Sequence, residues 1–235
     1  MLNIIKIGSA CLFDDQGKIN HQVLHQKARE IERSTDESVL VISGAIALGK
    51  MRENEQRKNS ELSPVELQGY ACRGQPELMK LYAGLFTRGV SQLLVTTTDL
   101  QHPNYVRDLV QHNLQKGRIT AINYNDGVDF EQLRKDNDTL AATVLSYCHA
   151  DRVIVLGHYD GFRDGDHLVE RVTHVEDSFY ALCRGQSGHG NGGFATKLDA
   201  ARIVLDAGKE MIVGNIRYVL DDLVTGKVQR TLFKA

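Results

Sequence analysis

Val153-Ile154-Val155-Leu156-Gly157 is a run of apolar residues that ends on a glycine. A half-exposed strand alternates polar and apolar side chains. This run is apolar on both alternations, so as a strand it must be covered on both faces, the mark of a parallel sheet packed between helices. The same signature recurs on either side, at Ile4 to Gly8, Val39 to Ser43, Leu93 to Thr97, Ile119 to Ile122 and Met211 to Gly214. Between these runs, His21 to Arg33, Val65 to Phe86, Tyr105 to Lys116, Asp138 to His149 and Thr196 to Ala207 carry apolar residues at helical spacing. Strands alternating with helices predict an α/β fold with a mainly parallel central sheet.

The chain has 235 residues, 42% of them hydrophobic, with three prolines and no Ser/Gly linker, low-complexity tract or internal repeat, so one domain over 1–235 is expected. A net charge of −2, from 28 basic and 30 acidic residues, gives no broad attraction to nucleic acid or to an anionic membrane. No apolar run approaches the ~20 residues that cross a bilayer. Cys11, Cys72, Cys148 and Cys183 are widely spaced, form no C-x-x-C pair and follow no secretory signal. That pattern predicts reduced thiols and a cytoplasmic location.

Glycine or polar residues stand where the strands end, at Gly8-Ser9, Ser43-Gly44, Asn123 to Asp126 and Gly157-His158. In open α/β sheets ligands bind beyond the carboxyl ends of the strands, and these turns together predict one site. Taken singly, each is also what any turn would use. The segment Gly190-Asn191-Gly192-Gly193-Phe194-Ala195-Thr196-Lys197 adds a glycine-rich loop before a helix start, closed by a lysine. Such a loop lets backbone N–H groups approach a phosphate, although the Walker A pattern is absent.

Lys6 lies inside an apolar strand, where it either reaches an anion or faces solvent at an edge. With Lys197 it would offset charge building on a phosphoryl group in transfer. Asp136-Asn137-Asp138 opens a helix, as an N-cap or as acceptors for an ammonium group, and Asn123-Tyr124-Asn125-Asp126 offers similar acceptors. His21 and His25 share a helix face without a third ligand, so no metal site is assigned. No G-x-S-x-G elbow supports covalent hydrolysis.

The ordered series Ile5 to Ser9, Val41 to Gly49, Gly74-Gln75, Ile122 to Asp126, Asp136 to Leu140, Asp160-Gly161-Phe162, the loop ending at Thr196-Lys197-Leu198, and Thr231 to Phe233 resembles the amino acid kinase family across nearly the whole chain. Within it, Ser43-Gly44-Ala45 is similar to the branch that phosphorylates glutamate at the start of proline synthesis. The resemblance implies a three-layer α/β/α sandwich, and direct transfer of the ATP γ-phosphoryl group, with Mg²⁺, to a side-chain carboxylate. Lys6 and Lys197 would stabilise the transferring group, and Asp138 would hold them. Gly8, Ser9, Gly157, His158, Gly192, Gly193 and Lys197 would contact nucleotide or phosphate. Ser43, Gly44, Asp126 and Asn137 would bind the amino acid. A homo-oligomer is implied, as is a reductase that consumes the acyl phosphate.

Three positions depart from the family's pattern. Gly157-His158 replaces Thr-Asp, Tyr124 replaces a glutamate, and Arg134-Lys135 replaces Val-Gly. The RNA-binding-like PUA domain that many bacterial relatives carry does not follow here. Two further readings accompany the kinase of glutamate: a kinase of another amino acid or small acid, and a catalytically weak sensor of nucleotide or amino acid.

Overall fold

The computed structural model describes residues 1–129, 136–183 and 193–235. In chain order, β1 (Leu2–Ile7) leads to helix α1 (His21–Arg33), β2 (Glu37–Ile42), α2 (Ala45–Glu53) and α3 (Pro64–Leu85). Then follow β3 (Val90–Val95), α4 (Pro103–Gln115), β4 (Ile119–Tyr124), α5 (Asn137–Cys148) and β5 (Arg152–Gly157). Three short strands come next, β6 (Arg163–Asp164), β7 (His167–Leu168) and β8 (Arg171–Val172), then α6 (Asp177–Leu182) and α7 (Phe194–Asp206). The chain closes with β9 (Glu210–Asn215), α8 (Leu220–Thr225) and β10 (Arg230–Phe233).

Eight strands form one sheet in the order β3-β4-β2-β1-β5-β9-β10-β8. Its pairings are parallel except for β10 against β9. The apolar runs explain the layering, because successive strand residues face opposite sides. Ile4, Val39, Val41, Val153, Val155 and Val213 pack with residues of α4, α5 and α7. Their neighbours Ile5, Ile7, Leu40, Ile42, Ile154 and Leu156 pack with α1, α3 and α8 on the other side. The expected α/β/α sandwich with a mainly parallel sheet is therefore what forms. Among the described residues, no helix is long and apolar enough to cross a membrane.

The strands extend beyond their apolar runs, most at the first end of β3 and the last end of β4. β3 begins at Val90 rather than Leu93, because it lies at the sheet edge, where Val90 and Ser91 are only partly buried and Gln92 is exposed. β4 continues through Asn123 to Tyr124, since the Asn123 side chain is buried against other polar groups. Helix α2 has no apolar stripe for periodicity to detect. It is fixed instead by a close crossing with α3, where a Cβ on Gly74 would stand 1.8 Å from the Ala45 carbonyl oxygen and one on Gly49 2.0 Å from that of Tyr70. Gly74→Ala must push two backbones apart. It should cost ~1–3 kcal/mol, the usual range for overpacking. Calorimetric unfolding checks this against Gly84→Ala in the same helix, which meets nothing within 4 Å and should be neutral or slightly stabilising.

Candidate active site

β1 lies at the point where the strand order turns, with β2 on one side and β5 on the other. In such sheets the crevice beyond the strand ends opens at this point. Lys6 is one residue from the end of β1, opposite Val41 and Val155. As an even-numbered residue it shares the face of Ile4, under α5 and α7, so it is a central-strand lysine and not an edge lysine in solvent.

Asp138 is the second residue of α5, whose N-cap is Asp136; the Asp136 carboxylate accepts from the Asp138 N–H at 2.6 Å. Lys197 lies in the first turn of α7, capped by Gly193. The two helix starts converge on the end of β1. The Asp138 carboxylate takes Lys6 Nζ on Oδ1 at 2.6 Å and Lys197 Nζ on Oδ2 at 2.9 Å, with all three side chains buried. Thr196 Oγ1 lies 3.4 Å from Asp138 Oδ2 and donates to the Gly193 carbonyl at 3.0 Å.

Burial by itself would push the Asp138 carboxyl up, but the two ammonium groups outweigh it and hold the carboxyl below its usual range. Burial would lower Lys6, yet Asp138 and Asp136 raise it. Burial, followed by the Asp138 charge, raises Asp136. The result is a buried cluster of two ammonium groups around one ionised carboxylate at two helix N-termini. An arriving anion would be stabilised there.

The neighbouring turns build around this triad. A Cβ on Gly8 would lie 3.9 Å from Lys6 Nζ, so the Gly8 backbone adjoins the ammonium group. Its own N–H already donates to the Leu156 carbonyl at 3.2 Å, because the ladder between β1 and β5 continues one residue beyond the strand. Ser9 starts a short 3₁₀ turn, Ser9–Leu12. Gly44 caps α2 at φ 117°, and a Cβ there would meet Leu12 Cδ1 at 2.2 Å and lie 3.7 Å from Ser9 Cβ. This places Ser43-Gly44 beside Gly8-Ser9. His158 is exposed, with Nε2 3.1 Å from the Ala10 carbonyl oxygen. Gly193 is described, while Gly190, Asn191, Gly192, Arg134 and Lys135 lie outside the described residues.

Asn137 ties the triad to a second compartment. Its Nδ2 donates to the Ile42 carbonyl at 2.7 Å and to Asn123 Oδ1 at 3.0 Å. Asn123 Nδ2 in turn donates to Gln75 Oε1 at 3.0 Å. Gln75 Nε2 is buried without a hydrogen-bond partner among the described residues. It borders a cavity of about 270 Å³ lined also by Ala45, Cys72, Tyr124, Asn125 and Asp126. Desolvation alone lifts the Asp126 carboxyl to about 6, and no ion pair holds it among the described residues. Among the described residues, the cavity thus offers one acceptor that lacks a cation and one buried donor that lacks an acceptor.

Sequence reasoning missed Gln75 as a site residue, although Gly74-Gln75 stood in the resembling series. It also missed Tyr159 and Phe194, whose rings lie 5.1 and 5.9 Å from Lys197 Nζ. Aromatic residues in an α/β chain read as core, and only the adjacent Gly157 marks a place where something packs closely.

Residues 1–215 match the profile of the amino acid kinase family. The chain is 31% identical to glutamate 5-kinase of Caldanaerobacter subterraneus subsp. tengcongensis, over 98% of this chain and 67% of that protein. It is 30% identical to glutamate 5-kinase of Clostridium perfringens, over 99% of this chain and 94% of that one. Among solved structures, carbamate kinase from Giardia lamblia bound to AMP-PNP superimposes with a TM-score of 0.69 at 12% identity, covering 99% of this chain and 98% of that one. This last likeness is one of fold.

Proposed function

The chain belongs to the amino acid kinase family, and from that premise we propose that it transfers the γ-phosphoryl group of ATP to the side-chain carboxylate of glutamate. One carboxylate oxygen attacks the γ-phosphorus, the bond to the β,γ-bridging oxygen breaks, and the products are ADP and an acyl phosphate. The observation that carries this reading is the clamp of Lys6 and Lys197 on Asp138, which presents two ammonium groups where two helices begin. Phosphoryl transfer needs positioning and charge stabilisation more than covalent help. Lys6 and Lys197 take the transition-state role and Asp138 orients them. Ser9, Gly193 and the turns at Gly8, Gly157 and His158 border the phosphates.

The amino acid occupies the cavity beside Asn137. Asp126 accepts from its ammonium group, Gln75 Nε2 donates to a substrate oxygen, and Ser43-Gly44 with Asn137 fix its position. Mg²⁺ enters this reading as part of the substrate MgATP. The proposal includes one kinase domain over 1–235, a homo-oligomer in the cytoplasm, and a reductase that consumes the labile product. A related acceptor is a second reading, favoured by Tyr124, which borders the acceptor cavity where the family's pattern has a glutamate.

Trapping the acyl phosphate as a hydroxamate, with MgATP and a panel of glutamate, aspartate and glutaric acid, tests chemistry and acceptor together. Glutamate should give the strongest signal and glutaric acid little. Glutaric acid equal to glutamate would remove the ammonium pocket. Because the Asp126 carboxyl titrates at about 6, its charge is present above that pH and lost below it. The KM for glutamate should rise as pH falls through this range while that for ATP changes less. Asp126→Asn should raise the glutamate KM at neutral pH by ~10-fold or more and flatten the profile. An unchanged profile in Asp126→Asn would assign the titration to another group.

A further inference from the structure

Tyr159 follows Gly157-His158 at the end of β5 and turns back over the strand. A Cβ built on Gly157 would stand 2.1 Å from Tyr159 Cζ, 2.2 Å from Cε1 and 2.5 Å from the hydroxyl oxygen. The ring therefore lies where any side chain at 157 would go. From there it faces Lys197, whose Nζ is 5.1 Å from the ring centroid, and it meets the Phe194 ring edge-on at 5.8 Å. Phe194 packs in turn on the buried Phe162, with centroids 5.1 Å apart. The aromatic stack is anchored in the core and ends at the ammonium group. An aromatic face attracts a cation electrostatically and excludes water from that side.

We propose that Tyr159 is a positioning residue for Lys197: its ring lies against the ammonium group and keeps Nζ on the Asp138 carboxylate, and glycine at 157 is the vacancy that admits the ring. The ring acts through Lys197, and the hydroxyl is dispensable for this role. In this reading Gly157 and Tyr159 form one unit, so the departure from Thr at 157 is coupled to the aromatic residue two positions later. The proposal rests on Lys197 acting in transfer. It also makes a prediction about the ammonium group itself, independent of turnover.

The experiment combines steady-state kinetics with the labelling rate of individual lysines by an amine-modifying reagent, read by peptide mass spectrometry. Tyr159→Ala and Tyr159→Leu should lower kcat by roughly 3- to 30-fold, the reach of a desolvated cation–π contact, with the glutamate KM little changed. Lys197 should label several-fold faster while Lys6 does not, which separates lost cover from lost fold. Tyr159→Phe keeps the ring and should restore most of both signals. Gly157→Thr alone should imitate Tyr159→Ala, since it expels the ring. Added to Tyr159→Ala it should raise the labelling of Lys197 no further. Parent-like kcat and labelling in Tyr159→Leu would overturn the proposal, and so would a full additional rise in Lys197 labelling from Gly157→Thr in the Tyr159→Ala background. If the parent forms no acyl phosphate, the kinase reading fails, while the labelling arm still decides the role of Tyr159.

Discussion

Lys197→Ala is expected to lower phosphoryl transfer by at least ~100-fold, with a much smaller change in the glutamate KM. The ammonium group stands in the first turn of α7 and touches Asp138, and Lys197 is not among the residues lining the acceptor cavity. Its charge gains most when negative charge spreads over the oxygens of the transferring group, so the loss falls on kcat. The fold should survive, because Asp138 retains Lys6 at 2.6 Å. Lys6→Ala should behave in the same way, retaining Lys197 on Asp138. Single-turnover measurements with saturating MgATP check both. Near-parent turnover in Lys197→Ala would take the α7 N-terminus out of the reaction.

Asp138 carries the second large effect, and here catalysis and folding are coupled. Removing one partner of a buried ion pair typically costs 3–5 kcal/mol, since the remaining charge is left without compensation. Asp138→Ala leaves two buried ammonium groups in that state, so it should lose activity and a large part of its stability together. Asp138→Asn keeps the shape and one hydrogen-bonding oxygen. It should remain folded at reduced Tm, with turnover at least ~100-fold down because the lysines are no longer held by charge. Linkage gives a further check. The ammonium groups outweigh burial and hold the folded carboxyl below its unfolded value of about 4, so its contribution is complete above that value. It disappears as pH falls through the folded value. The parent should therefore lose stability faster than Asp138→Asn on acidification. An Asp138→Ala protein with parent Tm and turnover would refute the clamp.

The layers of this fold were legible because buried parallel strands are written as apolar runs, and five of the helices as periodic stripes. The runs ending at Gly8, Ser43 and Gly157 also marked the end of the sheet at which Lys6, Asp138 and Lys197 meet. Less visible were elements held by contact rather than by pattern. Helix α2 depends on Gly49 and Gly74 at a backbone crossing, and β3 hides half-exposed polar residues at an edge. The short strands β6 to β8 are too brief to carry a period. In the site, an ammonium group inside an apolar strand suggested an anionic partner, and the family resemblance named Asp138 for it. The Gln75-Asn123-Asn137 chain and the Tyr159 ring over Lys197 were not legible, since amides and aromatic residues have ordinary uses everywhere and only their placement gives them meaning.

The most direct test follows oxygen. Glutamate labelled with ¹⁸O in its side-chain carboxylate is incubated with the protein, MgATP and hydroxylamine, and the released phosphate is analysed by mass spectrometry. Attack by the carboxylate places one labelled oxygen between carbon and phosphorus. Hydroxylamine then cleaves at carbon, so that oxygen must leave with the phosphate. The prediction is one ¹⁸O per phosphate released, in proportion to hydroxamate formed, and a rate at least ~100-fold lower for Lys197→Ala. Phosphate released without label, or ATP consumed with no hydroxamate, would contradict transfer to the side-chain carboxylate.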